Sequence, residues 1–163
     1  MRTIQMLFIF LFAITIQQVS AADWGTYSNP RYGFQVDYPL DIFDTTKQAD
    51  NGDGVIMETF DGAIEFRAYG FMNGDELPLK QVQKIILEDS DGRDVTYKRN
   101  KGNWIVISGY EMEEGRRMIF YQRLAASADL KKFSAFEFIY PESDRAIYDP
   151  MLKHLSLSLT APK

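Results

Sequence analysis

The sequence predicts an α+β domain in which helices cover both faces of an antiparallel β-sheet, an α/β/α sandwich. Four β-like runs follow one another through joints short enough for hairpins, which favours antiparallel neighbours. The central runs are apolar on both faces, which indicates a sheet covered on both sides. One amphipathic segment precedes these runs and another follows them, so a cover for each face is available.

The first predicted strand lies near the start of the domain. Aromatic residues at 24–27 are followed by a turn at 29–33, which contains proline and glycine. From Phe34 to Tyr38 apolar residues alternate with polar ones, a period of two that is typical of a half-buried strand. Pro39 ends this strand, because proline cannot donate a hydrogen bond to a neighbouring strand.

A long polar stretch separates this strand from a predicted hairpin. Residues 41–54 are rich in turn-forming side chains and form the longest predicted loop. The β-rich runs 55–60 and 63–71 flank Asp61-Gly62, a dipeptide that favours the positive φ angles of a tight hairpin turn.

The hydrophobic period then changes to that of a helix. After Pro78, which suits a first helical turn, one stripe of the segment is apolar and the opposite side is polar. The stripe comprises Leu79, Val82, Ile85 and Ile86. We expect this helix, near residues 79–89, to end before Asp91-Gly92 and to cover one face of the sheet.

The remaining sequence predicts an antiparallel meander and a final helix. The four β-like runs are approximately 94–100, 103–112, 116–126 and 132–140. Ser143 is predicted to cap the last helix, and Pro150 to begin its regular part or to kink it. Its apolar stripe is Ile147, Met151, Leu152 and Leu155, which we expect to cover the second face.

The first residues have the pattern of a secretory signal. Arg2 precedes an apolar run from Ile4 to Ile16, which is shorter than the roughly 20 residues that cross a membrane. Small residues follow where signal peptidase requires them, with cleavage predicted after Ala21 and Ala22 as the next choice. The alternative is an amino-terminal anchor that is retained. The sequence therefore predicts a signal at 1–21 and a single domain at 22–163, located in the periplasm or, alternatively, secreted.

Composition excludes several classes of function. The chain contains no cysteine, which excludes thiol catalysis, thiolate metal sites and an amino-terminal lipid on cysteine. Removing Arg2 with the signal leaves 17 basic and 23 acidic residues, a net charge of −6. Such a surface repels nucleic acid and anionic lipids, so we expect neither nucleic-acid binding nor stable membrane insertion after cleavage.

The segment Tyr32–Pro39, which reads YGFQVDYP, resembles the opening of PsbP-like exported domains. That fold is shared with a yeast nuclear import factor that binds the GTPase Ran. The order of hairpin, helix, meander and final helix is similar too, so the resemblance spans most of residues 24–160. It implies an α/β/α sandwich from a largely non-catalytic group, which includes photosystem extrinsic subunits, regulators that bind a partner and bacterial periplasmic proteins. Some immunity proteins against wall-degrading toxins also look like this fold.

The best candidate for a site is the loop that contains Asp50, Asn51 and Asp53. Clustered oxygen ligands on a glycine-bent loop can hold calcium, but an EF-hand alignment puts Ala49 and Phe60 at two ligand positions. Calcium is therefore possible but not favoured, and we predict a polar turn that can bind a protein partner. No cofactor is predicted.

Other chemistry is weakly indicated. His154 is the only histidine, and no triad or metal motif surrounds it, so a structural or surface role is predicted. Glu111 and Glu113 share one face of a strand, which by itself does not place them in a cleft. The basic residues Lys98, Arg99 and Lys101 form a cluster, with Arg116, Arg117 and Arg123 two strands on. A solvated edge is favoured for this cluster over an anion site.

Three functional hypotheses follow. The leading one is a non-catalytic periplasmic protein-binding domain, most concretely an inhibitor or immunity-type protein that occupies the active site of an envelope-acting hydrolase with an acidic loop. The second is an accessory or assembly subunit of a membrane complex. The third is a small carboxylate-dependent hydrolase that acts on envelope polymers.

Overall fold

The computed structural model describes residues 23–90 and 92–163. The predicted signal at 1–21 lies outside the described residues, so the division into a signal and a domain at 22–163 stays a prediction. Nine strands and two helices are present in the part described. They are β1 (Trp24–Asn29), β2 (Phe34–Pro39), β3 (Thr45–Gln48), β4 (Gly54–Glu58), β5 (Glu65–Met72), α1 (Leu79–Glu88), β6 (Asp94–Lys101), β7 (Trp104–Glu113), β8 (Arg116–Ala126), β9 (Lys132–Pro141) and α2 (Arg145–Ser158), with a short 3₁₀ helix at Glu142–Asp144.

Seven strands form one open antiparallel sheet in the order β3-β4-β5-β9-β8-β7-β6. Strands β6 to β9 are sequential neighbours, which confirms the predicted meander. Strand β9 also pairs with β5, and this long-range pairing places the last strand at the centre of the sheet. All eight inner positions of β9 from Phe133 to Tyr140 are buried, as expected for a strand covered on both faces.

The two faces of the sheet are covered by different elements, which confirms the predicted fold class. On one face Val82 of α1 packs with Ile105, Phe120 and Phe133 of the sheet. On the other face α2 contributes Leu155, which packs in a second cluster with large aromatic side chains of the sheet. Helix α1 has ten residues and is about 15 Å long, whereas the strands beneath it extend for about 30 Å. Part of that face is therefore not covered by the helix.

A two-stranded ribbon, β1 with β2, packs beside α2 on the same face of the sheet. Its turn is the one predicted at 29–33, where Gly33 has a φ of +69° and donates its N–H to the Asn29 carbonyl at 2.9 Å. The end of α2 is joined to β2 because the Asp37 N–H donates to Ser158 Oγ at 3.0 Å. The ribbon is thus attached to the domain by backbone as well as by apolar contacts.

The predicted loop at 41–54 is wrong in part, because it contains β3. Thr45 to Gln48 pair with β4 in an antiparallel register, and all four residues are exposed. This strand is polar on both faces, so no alternation of apolar residues could indicate it.

The predicted hairpin between residues 55 and 71 is present, but its turn is longer than expected. Strand β4 ends at Glu58 and β5 begins at Glu65, so residues 59–64 form the connection. Positive φ occurs at Gly62 and not at Asp61, which differs from a two-residue turn with two left-handed residues. Thr59 closes the loop, since its N–H donates to the Ile64 carbonyl and its Oγ1 accepts from the Ile64 N–H, both at 3.0 Å.

Three details of the helices differ from expectation. Ser143 lies in the 3₁₀ helix and donates its hydroxyl to the Asp144 carboxylate, so it does not cap α2. Helix α2 begins at Arg145 and includes Pro150 in its interior, so Pro150 does not begin its regular part. Ile147 is exposed, because the packed stripe of this helix passes through Tyr148, Met151, Leu152 and Leu155. No helix in residues 23–90 or 92–163 is long and apolar enough to cross a membrane.

Candidate functional site

The loop predicted to bind a partner lies between β3 and β4, and its base is fixed by Asp53. Arg31 Nη1 approaches Asp53 Oδ1 at 2.9 Å, and the Tyr32 hydroxyl donates to the same oxygen at 3.0 Å. The Asn29 side chain donates to the carbonyls of Gly52 and Asp53 at 3.0 and 3.1 Å. Asp53 is therefore engaged in holding this loop against the turn of the ribbon.

Asn51 is also used within the loop. Its Oδ1 accepts the Asp53 N–H at 3.0 Å, and its Nδ2 donates to Asp53 Oδ2 at 2.5 Å, the local pattern of an Asx turn. Asp50 differs from both neighbours, because it is exposed and no hydrogen bond or ion pair engages its carboxylate within the described ranges. The loop thus presents one unpaired carboxylate on a base held by several polar contacts.

A polar groove borders this loop. It has a volume of about 430 Å³ and lies between the ribbon and the β3–β4 edge. Its lining includes Tyr27, Arg31, Tyr38, Thr46, Gln48 and Asn51. Over the ranges that the structure describes, no group of three acidic or histidine side chains could hold a metal ion. Calcium binding at the loop stays a possibility named by the sequence alone.

A second polar cavity, not predicted from the sequence, occupies the part of the sheet face that α1 leaves uncovered. Its volume is about 410 Å³. Its charged lining comprises Glu58, Glu65, Arg67, Arg93, Glu111 and Glu113. The adjoining turn contributes Gly62 and Ala63 and exposes Phe60 almost completely, at 91%.

Arg93 organises the floor of this cavity. Its Nε lies 2.6 Å from Glu111 Oε2, and its Nη1 donates to Glu137 Oε1 at 2.5 Å. Its guanidinium also lies over the ring of Phe120, 4.6 Å from the centroid. Glu137 is only 4% exposed and has a second cation nearby, since Arg67 Nη1 is 3.6 Å from its Oε2. Arg93 therefore pairs with two carboxylates at once, and Arg67 supplies the second positive charge beside Glu137.

The wall formed by β4 and β5 has different electrostatics. Glu58 and Glu65 stand directly opposite each other across the two strands. Burial raises the pKa of the Glu65 carboxyl above its usual range, and hydrogen bonding and repulsion from Glu58 act in the same direction, whereas Arg67 opposes them. Glu65 thus favours its protonated form more than a solvated glutamate does.

Glu111 and Glu113 share a face, as predicted, and the structure places both in the lining of this cavity. The cleft is not evident from the sequence, because its other lining residues come from distant parts of the chain. One signal was present: Glu137 is a charged residue inside an apolar run that was predicted to be buried on both faces. A buried charge in such a strand needs a partner, which indicates an ionic site.

His154 joins α2 to the ribbon. Its ring stacks on Trp24 with the centroids 4.0 Å apart, and its Nε2 lies 2.9 Å from Asp37 Oδ2. Asp37 also accepts a hydrogen bond from Thr26 Oγ1 at 2.8 Å. The geometry matches the structural role predicted for His154, because every partner belongs to the contact between two elements.

The predicted basic cluster is divided by the structure. Arg116 and Arg117 each have an acidic neighbour, Glu114 at 3.9 Å and Glu142 at 3.4 Å. Arg123 lies elsewhere on β8, with its guanidinium 4.9 Å from the centroid of Trp104.

Comparisons with known proteins give a likeness of structure. No protein-family model and no curated protein matches the sequence. Cyanobacterial PsbP from Synechocystis sp. PCC 6803 superposes with a TM-score of 0.56 at 11% identity, over 88% of this chain and 95% of that one. The Ran-binding protein Mog1p of Saccharomyces cerevisiae gives 0.58 at 9% identity, over 86% and 96% of the respective chains.

A third similar structure is LpqN of Mycobacterium tuberculosis, a protein involved in cell envelope biogenesis. It has a TM-score of 0.52 and 10% identity, and the match covers 86% of this chain and 91% of that one. These likenesses extend over most of each chain, and at such low identity they concern the fold. The fold resemblance predicted from the segment 32–39 is confirmed.

Proposed function

We propose, from the PsbP-like fold of this chain, that it is a non-catalytic exported domain whose role is to bind another protein. In its most concrete form the domain is an inhibitor or immunity-type protein of the periplasm. Its acidic loop at Asp50, Asn51 and Asp53 enters the substrate site of an envelope-acting hydrolase.

The observation that carries the proposal is the construction of this loop. Asp53 fixes its base through Arg31 and Tyr32, while Asp50 remains exposed and unpaired within the described residues. A loop that is already ordered loses little conformational entropy when it binds, which favours affinity. Because the 430 Å³ groove adjoins it, a partner that contacts Asp50 also has a polar surface to cover.

One structural neighbour supports the binding role and another supports the envelope as the place of action. One is a Ran-binding protein, and another is involved in cell envelope biogenesis. The ionic floor of the second cavity supports the non-catalytic part of the proposal. Arg93 holds Glu111 and Glu137 in ion pairs, so neither carboxylate is free to act as a general base.

The test is affinity co-purification from an envelope extract of the source organism, with the wild type and two variants. Asp50→Lys reverses the charge at the tip of the loop and should lose the partner. Asp75→Lys makes the same change at another exposed aspartate and should retain it. Reproducible absence of any protein partner, or equal capture by both variants, would refute the proposal.

A carboxylate-dependent hydrolase is the second candidate, and Glu65 favours it. A carboxyl group with a raised pKa beside a second carboxylate, Glu58, is an arrangement suited to acid–base work. If Glu65→Gln abolishes hydrolysis of an envelope polymer and Glu113→Gln does not, this candidate replaces the binding role. If wild-type protein releases no product from wall polymers, it is dismissed.

A further inference from the structure

The free edge of the sheet at β6 carries a cationic surface, which we call the β6 surface. It comprises Lys98, Arg99, Lys101, Trp104 and Arg123. Strand β6 is the last strand of the sheet order, and nearly all of its eight residues are exposed. Its outer edge is therefore available to pair with an extended chain.

The two arginines of this surface are set apart from the others. Eight arginines lie in the described residues, and six of them have a carboxylate within 4 Å, the exceptions being Arg99 and Arg123. Both exceptions approach the same ring, with guanidinium carbons 5.8 and 4.9 Å from the centroid of Trp104. The chain has a net charge of −5, so the two unpaired arginines around Trp104 make this part of the surface positive in a protein that is negative as a whole.

The strand register explains how the side chains converge. Val106 of β7 is the partner of Arg99 on one side and of Arg123 on the other. Lys101 is paired with Trp104, and residues paired across antiparallel strands project from the same face. The cations therefore flank a buried valine and a half-exposed tryptophan, on a section of the sheet that lies at its edge.

Arg123 also has an unmet hydrogen-bonding group. Its Nε is buried and has no acceptor among residues 23–90 and 92–163. Burial lowers the pKa of this guanidinium, and the opposing influence comes from Tyr121 rather than from an acid. A carboxylate placed beside Arg123 would satisfy the donor and balance the charge.

Positive charge is found on both sides of the edge strand. Lys98 projects to the opposite face, where it lines a groove of about 670 Å³ with Lys80 and Lys84 of α1. An extended chain laid along β6 would direct alternate side chains to the two faces. It would meet cations on each of them.

We propose that the β6 surface binds an acidic, extended segment of a partner protein, whose carboxylates pair with Arg99 and Arg123. A second copy of this chain is repelled, because its own β6 carries the same charges. This inference rests on the proposed function in one respect, namely that the bound partner is a protein. The β6 surface is separate from the acidic loop, which lies near the opposite edge of the sheet at β3.

The test measures the affinity of a fluorescent octaglutamate peptide, matched to the eight residues of β6, by anisotropy. Arg99→Gln/Arg123→Gln should weaken binding about tenfold, since two charge-assisted contacts are lost. Lys47→Gln/Lys153→Gln removes the same charge from exposed lysines elsewhere, neither of which has an ion pair in the described chain, and should weaken it less than about twofold. Hydrogen exchange should show new protection of backbone amides in β6.

Equal weakening by both double variants would mean diffuse charge attraction and would overturn the proposal, as would failure of the peptide to bind. Protection confined to other strands would also overturn it. Tighter binding to phosphatidylglycerol vesicles than to the peptide would assign the surface to a membrane instead. The experiment uses neither the partner nor Asp50, so it can fail independently of the proposed function.

Discussion

Replacement of Arg93 by methionine tests the ionic floor of the second cavity. In the folded protein Arg93 is the closer cation of Glu137, at 2.5 Å, and its side chain is 22% exposed. The substitution retains much of the apolar contact with Phe120 but leaves a buried carboxylate with Arg67 alone, at 3.6 Å.

The expected cost follows from these distances. Breaking a fully buried pair by removing one partner costs about 3–5 kcal/mol. Because Arg67 still compensates part of the charge on Glu137, we expect the lower end, about 3 kcal/mol at pH 7. For a domain of this size such a change lowers the melting temperature by about 10 °C.

Urea denaturation at pH 7, followed by circular dichroism, measures the difference. The double variant Arg93→Met/Glu137→Met removes the stranded charge and should recover about 1–2 kcal/mol of that loss. Arg116→Met is the control, since its pair with Glu114 is exposed and 3.9 Å long, and should cost less than about 0.5 kcal/mol. If the double variant is no more stable than Arg93→Met, the uncompensated charge on Glu137 is not the cause and the reasoning fails.

Three further predictions concern other contacts. Burial raises the pKa of Glu65, so its protonated form stabilises the fold below pH 4.5, and that contribution is lost as the pH rises through the raised value. Glu65→Gln should therefore be more stable than the wild type at pH 7, with the difference shrinking near pH 4 in urea titrations. His154→Ala loses the stack on Trp24 and should cost about 1 kcal/mol, with a changed Trp24 fluorescence. Gly109→Ala should cost more than about 2 kcal/mol in thermal denaturation, because its Cβ would lie 2.0 Å from the Asp94 carbonyl oxygen.

Each of these has a matched control. Glu113→Gln changes an exposed carboxyl of the same cavity and should leave the stability within about 0.5 kcal/mol at both pH values. Lys153→Ala alters the neighbour of His154 without touching the stack, so equal losses would contradict the role given to the ring. A Gly102→Ala variant, at a glycine of φ +62° with nothing near its Cβ, tests strain alone. If it costs as much as Gly109→Ala, the close approach to Asp94 is not the reason.

Much of the fold can be predicted from the spacing of apolar residues, because burial of one or both faces of an element determines which positions are apolar. The meander and α1 were predictable on this basis. Apolar residues recur at intervals of two in the strands and of three to four in the helix. Strand β3 was not, because Thr45 to Gln48 are exposed on both faces and are held by backbone pairing with β4. The ribbon's position over the sheet depends on contacts between residues more than a hundred positions apart, as between Asp37 and Ser158.

The candidate site was predictable only in its local part. The turn at Asp50 to Asp53 has the composition of a loop, and the structure places a loop there. The contacts of Asp53 with Arg31 and Tyr32 could not be derived, since they cross from one loop to another. Arg93 lies between the predicted helix near 79–89 and the predicted run 94–100, and its partner Glu137 is 44 residues away, so only the tertiary fold brings them together.

The short span of α1 has a consequence for redesign of this domain. Two further helical turns would add about 11 Å and carry the helix over the second cavity. Such a helix could pack only if Arg67, Arg93 and Glu137 were exchanged for apolar residues together with Glu65 and Glu111, which pair with the two arginines. Any smaller set would leave a buried charge without its partner. The length of α1 and the polarity of the cavity therefore have to be changed together, which single substitutions cannot do.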